Sequence, residues 1–269
     1  MLHFDRAIQF CQEGLPKFRR LRARGKTIPW KKGRGKHGGK DMEFNQEIKE
    51  RVRALLLDVD GTLFSSEGII HEVYADAFQR FKEERGKPER CPSREQIMAE
   101  IGKPVKVIFQ NLTPELESAD QDALSESILR DLVRRIDAGE GEHYPGVRET
   151  LQALRDKGML IFAASNGRLP YIEAILRAGN YSSLFTDVPS INYRDIRDKN
   201  ELVAHTLTKN GLAPEQALVV GDRASDRDAA LSNGCYFAAC LYGHGNPAEH
   251  EGAHLFLENF PGLAEIFSA

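Results

Sequence analysis

The sequence has little of what builds metal clusters, disulfide frameworks or membrane spans. Its four cysteines in 269 residues, Cys11, Cys91, Cys235 and Cys240, show no metal-ligand spacing, which argues for free thiols in a reducing compartment and against a disulfide scaffold. No apolar run approaches the roughly 20 residues that cross a bilayer. The start, Met1-Leu2-His3-Phe4-Asp5-Arg6, has no basic segment leading into an apolar one, so a secretory signal is not expected and a cytoplasmic location is. What remains is ordinary: 41% hydrophobic and 29% charged residues, in a chain long enough for one large domain or a core with an inserted module.

The net charge of −3 is unevenly spread. Residues 1–42 hold twelve lysines and arginines against Asp5, Glu13 and Asp41, so everything beyond them is acidic. A basic leader on an acidic domain can bind nucleic acid, but high charge with low hydrophobicity favours a solvated, disordered extension. That extension is expected over residues 1–50, with residues 1–42 dispensable for catalysis. Met42 also allows a start at that position. The stretch Gly33-Arg34-Gly35-Lys36-His37-Gly38-Gly39-Lys40 lacks the Gly-Lys offset, the Ser/Thr and the preceding strand of a phosphate loop.

The chemistry concentrates where Leu55-Leu56-Leu57 stops at Asp58-Val59-Asp60-Gly61. Consecutive apolar residues fit a strand buried on both faces, and ligands of open α/β sheets bind beyond the strands' carboxyl ends. In extended backbone, residues i and i+2 point the same way, so Asp58 and Asp60 can reach one bound group. Convergent carboxylates suit a hard cation such as Mg²⁺. A plain strand-to-turn transition uses the same residue types, and this run alone leaves both readings open.

The remaining pattern alternates. From Phe64 to Tyr144 the apolar residues step by four, as in Val73, Ala77 and Phe81 or Leu124, Ile128, Leu132 and Ile136, which predicts amphipathic helices. From Pro145 onward helices alternate with strands at Leu160–Ala164, around Leu184-Phe185-Thr186, at Ala217–Val220 and at Cys235–Leu241. Such alternation predicts a doubly wound parallel sheet. The expected organisation is a core from residues 51–63 and 145–269, with an all-helical insert over residues 64–144 separating the first strand from the second.

Asp58-Val59-Asp60-Gly61-Thr62 resembles the first motif of the haloacid dehalogenase-like hydrolases. Three further segments resemble the family's other motifs in the family's order: Ser165-Asn166-Gly167, then Lys199 after Asp198, then Gly221-Asp222-Arg223-Ala224-Ser225-Asp226. The resemblance extends from about Arg51 to the C-terminus, with a cap like that of phosphoglycolate phosphatases and their relatives. It implies an α/β fold, a Rossmann-like core with an inserted α-helical cap, and a Mg²⁺-dependent phosphatase acting on a small phosphorylated metabolite.

By that resemblance Asp58 is the nucleophile that forms an aspartyl-phosphate, and Asp60 protonates the leaving alcohol and then activates water. These roles require Asp60 to be protonated when substrate binds. Mg²⁺ is expected on the Asp58 carboxylate, the Asp60 backbone carbonyl and Asp222, with Asp226 orienting Asp222 or a metal-bound water. Ser165 and Asn166 are expected on the phosphoryl group, and Lys199 between Asp58 and the phosphate. Ser165 as a helix cap, Lys199 as a solvated charge and Asp226 as a helix-dipole partner are the structural alternatives. Family members that cleave carbon–halogen bonds lack the acid at Asp60, so its presence points to phosphoryl transfer. An intramolecular phosphomutase and a non-catalytic phosphate-binding module are the alternatives in function. In the cap, Ile101-Gly102-Lys103-Pro104-Val105-Lys106 breaks the helical pattern, and Lys103 is expected either as a contact to a distant anionic group of the substrate or as a surface charge. His244, in Tyr242-Gly243-His244-Gly245, reads as a surface-loop residue bordering the site. Neither a membrane nor an oligomeric state is indicated by the sequence.

Overall fold

A computed structural model describes residues 40–87, 90–191 and 196–268. Expectations for residues 1–39, the basic leader and the glycine-rich stretch among them, lie outside the described residues. The described residues form one compact unit. Helix α1 (Lys40–Arg51) leads into strand β1 (Ala54–Leu57), and the chain then passes through β2 (Phe64–Ser65), helices α2 (Ile70–Arg85), α3 (Arg94–Glu100), α4 (Val105–Leu112) and α5 (Ser118–Asp137), and β3 (Glu142–His143). Alternation follows: α6 (Val147–Asp156), β4 (Leu160–Ala163), α7 (Leu169–Ala178), α8 (Lys199–Asn210), β5 (Ala217–Gly221), α9 (Ala224–Ser232), β6 (Tyr236–Cys240), β7 (Leu255–Leu257) and α10 (Gly262–Ile266).

The central sheet has five parallel strands in the order β4-β1-β5-β6-β7. Its apolar strands divide by residue parity, because successive side chains leave opposite faces. Leu55, Leu57, Ile161, Leu218 and Val220 join one buried cluster, whereas Ala54, Leu56, Phe162, Val219 and Phe237 join another beneath α8 and α9. The first cluster does not stop at the sheet. It runs on through Tyr74, Phe78, Phe109 and Ile128 of α2, α4 and α5, so the inserted helices and the sheet share apolar packing. The insert is entered and left through the antiparallel pair β2–β3, with Phe64 opposite His143.

Three elements differ from the sequence expectation. Residues 40–50, assigned to a disordered extension, instead form α1 together with Arg51, since Ile48 and Val52 are fully buried and supply an apolar anchor at spacing i, i+4 that the surrounding charge conceals. Leu184-Phe185-Thr186 is not a strand. Residues Ser182–Leu184 make a 3₁₀ turn, and the Thr186 hydroxyl accepts from the Ile161 amide at 3.1 Å, leaving a single bridge between Phe162 and Asp187. The sheet also gains β7, whose three residues alternate buried, exposed, buried and are too few to show a periodicity. Among the described residues no helix is long and apolar enough to cross a membrane.

If α1 is an integral part of the core, Ile48→Ala should lower unfolding stability by about 2–5 kcal/mol, read as a shift of the urea midpoint. An unchanged midpoint would show that α1 does not pack as described.

Candidate active site

Register places the functional side chains. Because β1 is flanked by β4 and β5 with Leu57 opposite both Ala163 and Val220, the residues just past each strand converge at one edge of the sheet. Asp58 continues the ladder by donating its N–H to Val220 O at 2.9 Å, and Ala164 donates to Leu57 O at 2.7 Å. Asp58, Ser165 and Asp222 are thus neighbours, and all three are buried. Asp198 caps α8 by accepting from Glu201 N at 2.9 Å, which fixes Lys199 in the first helical turn. Asp226 comes from the first turn of α9, which packs on α8.

Lys199 is the hub of this group. Its ammonium, 2% exposed, donates to Asp58 Oδ1 at 2.9 Å and to Asp226 Oδ1 at 2.6 Å. Burial pushes the ammonium toward deprotonation, but Asp226 and Asp58 outweigh it and hold the proton more firmly than usual. The solvated-charge alternative for Lys199 does not describe this position.

Asp58, Asp222 and Asp226 each place an oxygen within 4.8 Å of the other two. Burial, with Asp58 and Asp226 close by, pushes the Asp222 carboxyl up to about 7. Burial also raises Asp226 to about 6, with Asp58 adding to the rise and Lys199 opposing it. Asp222 Oδ2 accepts from the backbone N–H groups of His244 at 2.7 Å and Gly245 at 3.1 Å, whereas its buried Oδ1 has no partner. Three buried carboxylates facing one ammonium carry a surplus of negative charge, and an unpartnered buried carboxylate oxygen is costly. This donor set fits a hard divalent cation. Asp226 already serves Lys199 and accepts from Arg223 N at 3.0 Å, so Asp58 and Asp222 are the better-placed ligands.

Asp60 has a different environment. Its Oδ2 accepts from Ser66 Oγ at 2.6 Å and Tyr171 Oη at 2.7 Å, and its Oδ1 accepts from Ser66 N at 3.2 Å. His244 Nε2 stands 3.6 Å from Oδ1, within ion-pair reach but beyond a hydrogen bond. Burial acts to raise the Asp60 carboxyl, yet the contacts from His244, Ser66 and Tyr171 prevail and hold it below the ordinary carboxylate range. The protonated Asp60 required at the moment of substrate binding is therefore not its resting state.

Two glycines permit this geometry. Gly61 turns the chain after Asp60 at φ +87°, where a side chain would be strained and would meet Asp222 Oδ2 at 2.4 Å. A Cβ on Gly245 would lie 1.7 Å from Asp222 O, so only glycine lets this loop bring its amides onto Asp222.

Of the other expected residues, Ser165 Oγ accepts from Gly167 N at 3.2 Å in the turn opening α7. Asn166 reaches the insert, its Nδ2 donating to Gly102 O at 2.7 Å while its buried Oδ1 has no partner. Lys103 lines the cavity above the carboxylates, paired with Glu100 at 2.8 Å. His244, expected as a surface-loop residue, is instead largely buried beside Asp60, because the two glycines around it press the loop onto the site. Ser66, Tyr171 and His250, whose Nε2 donates to Asp222 O at 2.8 Å, were not foreseen. The sequence places the Tyr242–Gly245 loop at the border of the site, but nothing in it marks His244 as a partner of Asp60.

The model of the haloacid dehalogenase-like hydrolases matches residues 52–234. The chain is 27% identical over 202 residues to a phosphoglycolate phosphatase of Thiobacillus denitrificans, covering 72% of this chain and 85% of that protein. It is 25% identical over 229 residues to one from Aliivibrio fischeri, covering 81% and 98%. The crystal structure of a predicted phosphoglycolate phosphatase from Haemophilus somnus 129PT superposes with a TM-score of 0.71 at 22% identity, covering 81% of this chain and 99% of that one.

The carboxylate cluster makes a pH-dependent prediction. Asp222 is raised from 3.8 to about 7, so the folded metal-free protein binds more protons than the unfolded chain across that window, and stability falls as pH rises through it. Asp222→Asn cannot ionise. Without metal at pH 7.5 it should melt at least about 2–4 °C above the wild type, an advantage absent at pH 4, and Mg²⁺ should stabilise the wild type but hardly the variant. A variant that melts lower at pH 7.5 would contradict the charge surplus.

Proposed function

The chain belongs to the haloacid dehalogenase-like hydrolases, and from that premise we propose that it is a Mg²⁺-dependent phosphatase that hydrolyses a small phosphoric monoester through an aspartyl-phosphate at Asp58. The observation that carries this reading is the contrast between two carboxylates on one strand end: Asp58 touches a buried ammonium, whereas Asp60 touches two hydroxyls and an imidazole. Neighbouring carboxyls with unlike surroundings divide the work of nucleophile and acid–base.

Phosphate esters resist hydrolysis, so the site must position the nucleophile and offset charge on the phosphoryl oxygens. Lys199 aims one Asp58 oxygen and adds positive charge beside it; the Ser165 hydroxyl and the amides opening α7 offer donors for the phosphoryl oxygens. Mg²⁺ held by Asp58, Asp222 and the Asp60 backbone carbonyl would neutralise charge on the phosphoryl oxygens. Asp58 attacks phosphorus, the bond to the ester oxygen breaks, and Asp60 delivers a proton to the departing alkoxide. Asp60 then takes a proton from the water that attacks phosphorus, and the Asp58–phosphorus bond breaks to release phosphate. A dianionic phosphoryl group beside Asp60 favours its protonated form, opposing the resting contacts that hold it ionised. Tyr171 and Ser66 fix the direction in which Asp60 presents its proton.

Asp58→Asn should reduce Mg²⁺-dependent phosphate release by about 10³-fold or more, measured after removal of contaminating phosphatases; near-normal turnover would refute the covalent route. Asp60→Asn should cost about 10²–10⁴-fold with an alkyl phosphate and clearly less with para-nitrophenyl phosphate, whose leaving group needs no proton. Equal losses on both esters would remove Asp60 from the acid role.

A further inference from the structure

The cavity above Asp58 and Asp60 is closed on its far side by the interior of the cap. It encloses ≈ 90 Å³, against roughly 10–15 Å³ for one water on the same measure, so a group of several heavy atoms fits. Its depth is walled by Tyr74, Ile108, Phe109, Ile128, Leu129 and Leu132, none more than 8% exposed. An unfilled apolar cavity in a protein core is destabilising. This one is continuous with the reacting carboxylates, which identifies the leaving group of the substrate as what fills it.

Charge decides what kind of group that is. Among the described residues lining the cavity the only cations are Lys103 and Arg168. Lys103 pairs with Glu100, which also takes Asn111 Nδ2 at 2.7 Å, and Arg168 pairs with Glu126. Each positive charge is matched by an acid, so a carboxylate entering the cavity would have to compete with Glu100 or Glu126 for a partner while losing its own hydration. An apolar group entering it loses nothing and removes apolar surface from water.

Building on the phosphatase reading above, we propose that the preferred substrates are phosphomonoesters with an uncharged, apolar leaving alcohol, and that the second anionic group of phosphoglycolate is disfavoured here. Isobutyl phosphate is the matched probe. Its leaving group has the same number of heavy atoms as that of phosphoglycolate, arranged with the same branching, and differs in charge.

The wild-type protein with Mg²⁺ should show at least tenfold higher kcat/KM for isobutyl phosphate than for phosphoglycolate; equal values or a preference for phosphoglycolate would overturn the proposal. Calorimetric binding of two phosphonates that cannot turn over, 3-methylbutylphosphonate and 3-phosphonopropanoate, reads the same preference without catalysis. The first should bind at least tenfold more tightly, and the reverse order overturns the proposal even if no ester is hydrolysed, an outcome that would separately refute the phosphatase reading. Val105→Ser, at the half-buried start of α4 on the cavity wall, should lower kcat/KM for isobutyl phosphate about fivefold or more and leave phosphoglycolate within about twofold. Equal loss on both esters would contradict an apolar subsite at this wall.

Discussion

Everything at the strand ends depends on one buried ammonium. Lys199 sits between Asp58 and Asp226 with almost no access to solvent, and removing a single partner from such a group leaves an uncompensated charge that costs more than the pair contributes. The arrangement restricts what surrounds it. Asp198 must cap α8 so that Lys199 falls in its first turn, α9 must present Asp226 beside it, and β1 must end in register with β5 so that Asp58 and Asp222 face each other. Even then one ammonium does not balance three carboxylates, and the unpartnered Asp222 Oδ1 marks where further positive charge is needed.

The cap is tied to this centre through backbone as much as through side chains. The Gly102 carbonyl accepts from Asn166 Nδ2 at 2.7 Å and Ser225 Oγ at 3.4 Å, one donor following β4 and the other opening α9. The loop that breaks the cap's helical pattern is thereby held against two motif turns of the core. Since the apolar cluster also runs unbroken from sheet to cap, the cap interior forms part of the site's wall.

The main architecture was legible because it rests on local patterns. Uninterrupted apolar runs at Leu55–Leu57 and Ala217–Val220 announce two-sided burial, step-of-four spacing announces the cap helices, and Gly211 after Lys199–Asn210 takes the left-handed conformation that ends a helix. Elements that depend on partners far along the chain were not legible. Ile48 and Val52 look like two apolar residues in a charged stretch until the core they enter is present. At the site, the residues that carry charge stood out because four segments in one order resemble the motifs of a single family, whereas the Asp58-Val59-Asp60 run alone left a plain turn open. The residues that tune Asp60 did not: Tyr171 is 111 positions away from it, and His244 reaches it only because flanking glycines allow contacts no side chain would tolerate. Lys103 shows the opposite limit. Its charge was visible, but its pairing with Glu100 one helical turn earlier depends on where the loop turns.

On the proposed mechanism, Asp58 becomes covalently phosphorylated during turnover. The direct measurement is to quench the enzyme in acid while it is turning over an ester with Mg²⁺, reduce with borohydride, and map the peptides by mass spectrometry. Reduction of an acyl-phosphate converts its aspartate to homoserine, so homoserine is expected at position 58 and at no other carboxylate of the site. Unmodified Asp58 in samples where phosphate is released at the normal rate would contradict it.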